Sequence, residues 1–125
     1  MKNVKFRAWD KEDKTIFNIA RIDIADGSCY SHLFAGDIYD YWNNVELMQY
    51  TGIKDVHGKE IYEGDILKCK LYNGDYENYV IVWDEEDACF DAFNKDKSNF
   101  MVTSIWAISE IIGNIYENPE LLEVK

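Results

Sequence analysis

The segment Leu47–Lys70, LMQYTGIKDVHGKEIYEGDILKCK, limits the folds open to this chain more than any other stretch. Its three glycines, Gly52, Gly58 and Gly64, recur at intervals of six residues among apolar residues at alternate places. Gly52 and Gly58 flank a short polar excursion, and Asp55–Gly58 has the form of a four-residue turn ending in glycine. Glu63-Gly64-Asp65 is a second tight bend. Gly64 is expected at positive φ, where a Cβ is strained, and Asp65 beside it can accept a backbone N–H and fix the reversal. Beyond the bend, Ile66, Lys68 and Lys70 alternate with Leu67, Cys69 and Leu71, the period of a half-buried strand. The segment therefore reads as a chain that repeatedly reverses on itself.

The same punctuation recurs along the sequence. Val4–Trp9 and Thr15–Ile22 form a hairpin around the polar stretch 10–14. Asp26-Gly27 marks a turn, and a strand is expected at Val45–Tyr50, preceded by an irregular aromatic loop. Asn73-Gly74 is the best short hairpin cue. Asn78–Trp83 then returns through the acidic turn DEED to Ala88–Phe93. The middle of MVTSIWAISEIIGNIY suits a short helix, and IIGNIY suits a strand with Gly113 at a bulge. Asn118 and Pro119 fit the cap and first position of a terminal helical turn. Aromatics at 15% favour strands over helices. The expectation is a mainly β fold: a small barrel or pseudo-barrel of short antiparallel strands with short helical caps, residues 1–125 forming one domain.

Charge excludes several functions. The chain carries −11, unevenly placed: residues 1–62 hold eight Lys and Arg against ten Asp and Glu, residues 63–125 five against fourteen. A surface this acidic repels nucleic-acid phosphates and anionic lipid, so direct nucleic-acid binding is not expected. A basic stripe could form only from Lys2, Lys5, Arg7, Lys11 and Lys14 in the N-terminal hairpin. No apolar run approaches the ~18 residues of a membrane span, and the opening MKNVKFRAWD is charged where a secretory leader is apolar. Cys29, Cys69 and Cys89 are odd in number with no C-x-x-C pair, and the histidines are His32 and His57. Neither a disulfide framework nor a structural zinc site is expected, but a cytoplasmic protein with three buried thiols.

Motifs for chemistry are wanting. A phosphate loop needs G-x-x-x-x-G-K-[ST] opening a helix; Gly58-Lys59 is followed by Glu60 and a strand pattern. The acids of DEEDACFD (Asp84, Glu85, Glu86, Asp87, Asp91) lack the alternate spacing and central glycine of a calcium loop, and read as a solvated hairpin tip. No G-x-S-x-G occurs. His32 with Cys29 or Cys89, and the pair Glu60 and Glu63, are of types any such chain contains. No catalytic, cofactor or metal residue is assigned. The expected structural turns are Gly52, Gly58, Gly64, Asp65, Asn73, Gly74 and Gly113. DIYDYW places Tyr39, Tyr41 and Trp42 close together among acids, either as an interface or as a cap on the barrel.

Three blocks, KFRAWD near the start, LMQYTGIKDVHGKEIYEGDILK in the middle and EIIGNIYENPELL at the end, resemble the YopX family of small bacteriophage and prophage proteins. They stand in family order and frame nearly the whole chain. Ile53 replaces a more usual Leu, and Val56-His57 a more polar pair. The resemblance implies a mostly β, barrel-like fold with helical elements, and brings no activity and no catalytic or ligand residues.

The function expected is that of a non-enzymatic phage accessory protein in the bacterial host cytoplasm. It would act without cofactor, through protein–protein contact, as a homo-oligomer or on a host or phage protein. The alternatives are an acidic nucleic-acid mimic, motivated by the second half's charge, and an enzyme of unrecognised type, which requires a pocket holding His32 or a cysteine beside carboxylates.

Overall fold

The structure is a computed structural model that describes residues 4–33, 36–41 and 44–122, with the backbone alone at 31–33 and 36–41. The chain divides into two compact units, Asn3–Gln49 and Tyr50–Lys125. The fold is mainly β, with a curled half-barrel sheet and few helical turns.

In the first unit, β1 (Phe6–Asp10) and β2 (Thr15–Asn18) form the N-terminal hairpin, in register from Arg7 opposite Asn18 to Asp10 opposite Thr15. Asp10 closes it, its Oδ1 accepting the N–H groups of Glu12 at 2.9 Å and Asp13 at 3.0 Å. Next, β3 (Arg21–Asp23), β4 (Ser28–Leu33) and β5 (Gly36–Tyr41) make a three-stranded antiparallel sheet. Gly27, at φ 72°, turns the chain from β3 to β4. The first half of β6 (Val45–Lys54) pairs with β1, from Phe6 opposite Gln49 to Asp10 opposite Val45. Ala8, Cys29 and Val45 are buried together, with Phe17, Ile19, Ile22 and Leu47 packed around them.

The sequence reading of Asp37–Trp42 as an irregular loop is corrected. Residues 36–41 form a strand in which Tyr39 stands opposite Tyr30 and Tyr41 opposite Ser28. Ile38, Tyr39 and Tyr41 are strong strand formers, and pairing with β4 supplies backbone partners that a loop would have to find elsewhere. Trp42 lies outside the described residues.

In the second unit, Tyr50 and Lys54 of β6 pair with β7 (Glu60–Tyr62). Then follow β8 (Asp65–Lys70), β9 (Tyr76–Asp84), β10 (Cys89–Phe93), β11 (Phe100–Met101), a single helical turn α1 (Thr103–Trp106) and β12 (Glu110–Asn114). They assemble a five-stranded antiparallel sheet in the order β11-β10-β9-β8-β12. One face carries the core of Leu67, Cys69, Tyr79, Ile81 and Ala92, closed by Ile61 and Trp106. The Trp106 indole N–H is satisfied by the Met101 carbonyl at 2.7 Å, as a buried indole requires.

Three local expectations change. Gly52 lies not in a turn but inside β6, at φ 90°, where the register to β7 shifts between Tyr50 and Lys54; it is a bulge glycine. Ile66 is fully buried although it shares a face with the exposed Lys68 and Lys70. The terminal turn, Pro119–Leu122, lies on that face: Asn78 Nδ2 donates to the Leu121 carbonyl at 2.7 Å. Gly113, opposite Ile66 at the β12 bulge, has no room for a Cβ, which would meet Asn118 Oδ1 at 2.5 Å and Leu121 Cδ1 at 2.9 Å. Asn118 does not cap the turn with its side chain; its Oδ1 accepts the Asn114 N–H at 3.3 Å, and the turn itself is of 3-10 form.

Candidate functional site

In the glycine-punctuated segment the N–H groups of the Asp55–Lys59 turn are engaged within the protein. The N–H of Asp55 goes to the Lys59 carbonyl, that of Val56 to the Ser109 carbonyl and that of Gly58 to the Asp55 carbonyl, all at 2.8–2.9 Å. Those of His57 and Lys59 go to Asp55 Oδ1, both at 2.9 Å. The other oxygen of Asp55 accepts the Ile111 N–H at 3.0 Å, which ties the turn to β12. Burial alone would raise the Asp55 pKa, but these backbone donors and the nearby His57 outweigh it and hold the carboxyl below the usual 3.8. Gly64, at φ 86°, gives its N–H to the Ile81 carbonyl and accepts from Ile115. Asp65 accepts the Tyr62 N–H at 2.8 Å, as its place beside the bend suggests. Asn73 braces the next reversal through the Asp75 N–H at 3.0 Å, with Gly74 at φ 93°. These residues are occupied with the backbone.

The β9–β10 turn differs. Asp84 Oδ1 accepts the Glu86 N–H at 3.0 Å, and Ala88 takes the left-handed conformation at φ 52°. Winding the chain this way brings three acids of the hairpin tip together: carboxylate oxygens of Asp84, Asp87 and Asp91 lie within 4.8 Å of one another. Asp84 and Asp91 are half-buried and Asp87 is exposed. Burial, a hydrogen bond with the Asp84 carboxyl and repulsion from Asp84 and Asp87 raise the Asp91 pKa above 3.8. Such a group can share a proton or attract a cation. Cys89, expected to be buried, is exposed, because the strand alternation that buries Ala92 turns it to the opposite face beside Asp84. Its Sγ lies 3.8 Å from Asp91 Oδ2, and desolvation and the carboxylates of Asp91, Asp84 and Asp87 push its pKa up. The thiol is kept from the thiolate form a nucleophile needs.

The same face of the sheet continues as apolar surface. Register places Val80 and Val82 of β9, Phe93 of β10 and Phe100 of β11 opposite the core side, with Phe100 56% exposed. Phe93 and Phe100 rings stand 6.5 Å apart. An open concavity of about 440 Å³ lies here, lined by Val82, Trp83, Asp84, Glu85, Glu86, Phe93 and Lys97. Lys97 stands 6.0 Å from the centre of the Phe93 ring. Asp84, Glu85 and Glu86 stand out in the sequence as a hairpin tip, but Val82, Phe93, Phe100 and Lys97 do not. NYVIVW and ACFDAF are apolar at successive positions, so alternation does not tell which side the core takes.

Of the other candidates, His57 Nε2 and Glu110 Oε2 form an exposed pair at 3.0 Å. Cys29 and Cys69 are buried, and the side chains of His32, Tyr39 and Tyr41 lie outside the described residues. In the N-terminal basic stripe, Lys11 pairs with Glu46 at 3.2 Å and Arg7 Nε lies 3.4 Å from Met48 Sδ. Among the described residues no helix is long and apolar enough to cross a membrane.

Comparison with solved structures finds similar chains. The crystal structure of protein EF1440 from Enterococcus faecalis is 27% identical with a TM-score of 0.70, over 98% of this chain and 100% of that one. Protein yopX from Bacillus subtilis is 23% identical with a TM-score of 0.66, over 95% and 98% of the two chains, and shares the fold. No curated protein matches. The family model described as YopX protein matches residues 5–123. With the three motif blocks inside that span and the fold shared, this chain belongs to the YopX family.

Proposed function

We propose that this protein is a non-enzymatic accessory protein of a phage or prophage, working in the host cytoplasm through protein–protein contact, with a host or phage protein or with copies of itself. One contrast carries this reading. Conspicuous polar groups, Asp55 above all, are engaged in holding the backbone, while Phe100, Phe93 and Val82 form an apolar surface beside carboxylates. Apolar surface rimmed by polar groups is what protein interfaces use. Sedimentation of the purified chain, with affinity capture from host cells, tests it: self-association or a saturable partner is expected, and a monomer that retains nothing would overturn it.

The convergence of Asp84, Asp87 and Asp91 favours a second reading, an acidic mimic that occupies a nucleic-acid site. A mimic's binding weakens steeply with salt and is indifferent to Phe100. Loss of binding on Phe100→Ser excludes it.

A further inference from the structure

We propose that the outer face of β9, β10 and β11 docks a basic, apolar-bearing protein segment, its aliphatic or aromatic side chains on Val82, Phe93 and Phe100 and its Lys or Arg on the Asp84–Asp87–Asp91 group. This inference rests on the protein-contact reading and gives it a place and a partner chemistry.

The geometry assigns the two halves of such a site to one surface. Register puts Val82 opposite Asp91, Asp84 opposite Cys89 and Phe93 opposite both Val80 and Phe100, so apolar and acidic side chains share the side away from the core. The acids lie at the turn end of the face. There Asp84, Asp87 and Asp91 bring carboxylate oxygens within 4.8 Å, and Glu85 and Glu86 line the concavity. The C-terminal turn sits over the Asn78 end of the sheet, while Phe100 at the other edge is 56% exposed.

Charge selects the occupant. Carboxylates packed together repel one another, and a guanidinium or ammonium placed between them relieves that repulsion, which an apolar partner cannot do. A second copy of a chain that carries −11 would bring more acid to an acidic face. Among the described residues Lys97 is the one cation lining the concavity, and it lies over Phe93, which leaves the acidic group open to a cation from a partner. Edge strand β11 spans two residues, too short a ladder for strand addition, so binding is by side chains on the face.

The test uses the full chain, isotopically labelled, and two synthetic peptides, one alternating lysine with leucine and one alternating glutamate with leucine. Expected are saturable amide shifts at Val82, Phe93 and Phe100 with the lysine peptide and none with the glutamate peptide. Asp84→Asn with Asp91→Asn should weaken the lysine peptide at least tenfold, and Phe100→Ser likewise; Asp84 and Asp91 are half-buried and Phe100 is exposed, so a parent-like amide spectrum away from the substituted sites verifies the fold. Asp84→Lys with Asp91→Lys should transfer binding to the glutamate peptide. Shifts mapping to another face, equal binding of both peptides, or indifference to these substitutions overturns the proposal. A captured protein whose binding ignores the same substitutions removes this surface and leaves the protein-contact reading standing. A monomer with no partner removes the reading itself.

Discussion

At the β6–β7 turn, one buried carboxylate, Asp55, sits among three backbone N–H donors; at the β9–β10 turn, Asp84, Asp87 and Asp91 set three carboxylates against one another. Both turns carry aspartate and both reverse a strand. The first uses its charge on its own backbone: the oxygens of Asp55 stand in for carbonyls that the turn cannot supply, and bind Ile111 of another strand. In the second, one carboxylate supports the turn through the Glu86 N–H and the group as a whole remains directed at the surface. What separates a structural acid from an available one is therefore the count of donors around it, not the count of acids.

Removing the structural acid should cost most. Asp55→Ala leaves three N–H groups without an acceptor at a buried site and should lower stability by about 3 kcal/mol, read as a fall in the urea midpoint. The contrasting Asp91→Ala should change it by less than about 1 kcal/mol. If both were equally damaging, the distinction between the two turns would fail.

Gly64→Ala comes next. At φ 86° an added Cβ costs roughly 1–2 kcal/mol, and the turn cannot relax while its N–H and carbonyl are held by Ile81 and Ile115. Calorimetry should show a lower melting temperature with unchanged strand content. Asp91→Asn should act in the opposite direction and stabilise at neutral pH by up to about 1 kcal/mol, because one of three repelling charges is removed.

Acid sharpens the contrast. A carboxyl with a lowered folded pKa contributes stability above 3.8 that is lost as pH falls through its folded value, as for Asp55. A carboxyl with a raised value carries its full penalty above that value and is relieved as pH falls through it toward 3.8, as for Asp91. The advantage of Asp91→Asn over the parent should therefore fade as pH falls through the raised Asp91 value and vanish below 3.8, where the carboxyl is protonated in the folded and unfolded chain alike. Chemical unfolding at a series of pH values measures it. The smallest effect is expected of His57→Gln, which breaks an exposed pair with Glu110 and should cost about 0.3 kcal/mol.

Much of this was legible in the sequence because turns are local. Gly58, Gly64 and Gly74 adopt the positive φ that only glycine takes easily, and Asp65 and Asn73 accept backbone N–H groups from neighbours within three residues. The family could be read as well, from three blocks that lie within the matched span of residues 5–123. What could not be read depends on partners far along the chain. Asp55 reaches Ile111 across 56 residues, and Ile66 is buried on the face where the C-terminal turn lies. The candidate surface was hidden for another reason: β9 and β10 are apolar on both sides, and only the tertiary fold decides which side becomes the core.

Carboxyl-detected NMR titration of the full chain, resolving Asp55 and Asp91 together, compares the two turns directly. Asp55 is expected to titrate below 3.8 and Asp91 above it, with Asp91 moving down when Asp84 is replaced by Asn. Coincident titrations near 3.8 for both, or an Asp91 indifferent to Asp84, would contradict the division between a carboxylate spent on the backbone and carboxylates held ready for a cationic partner.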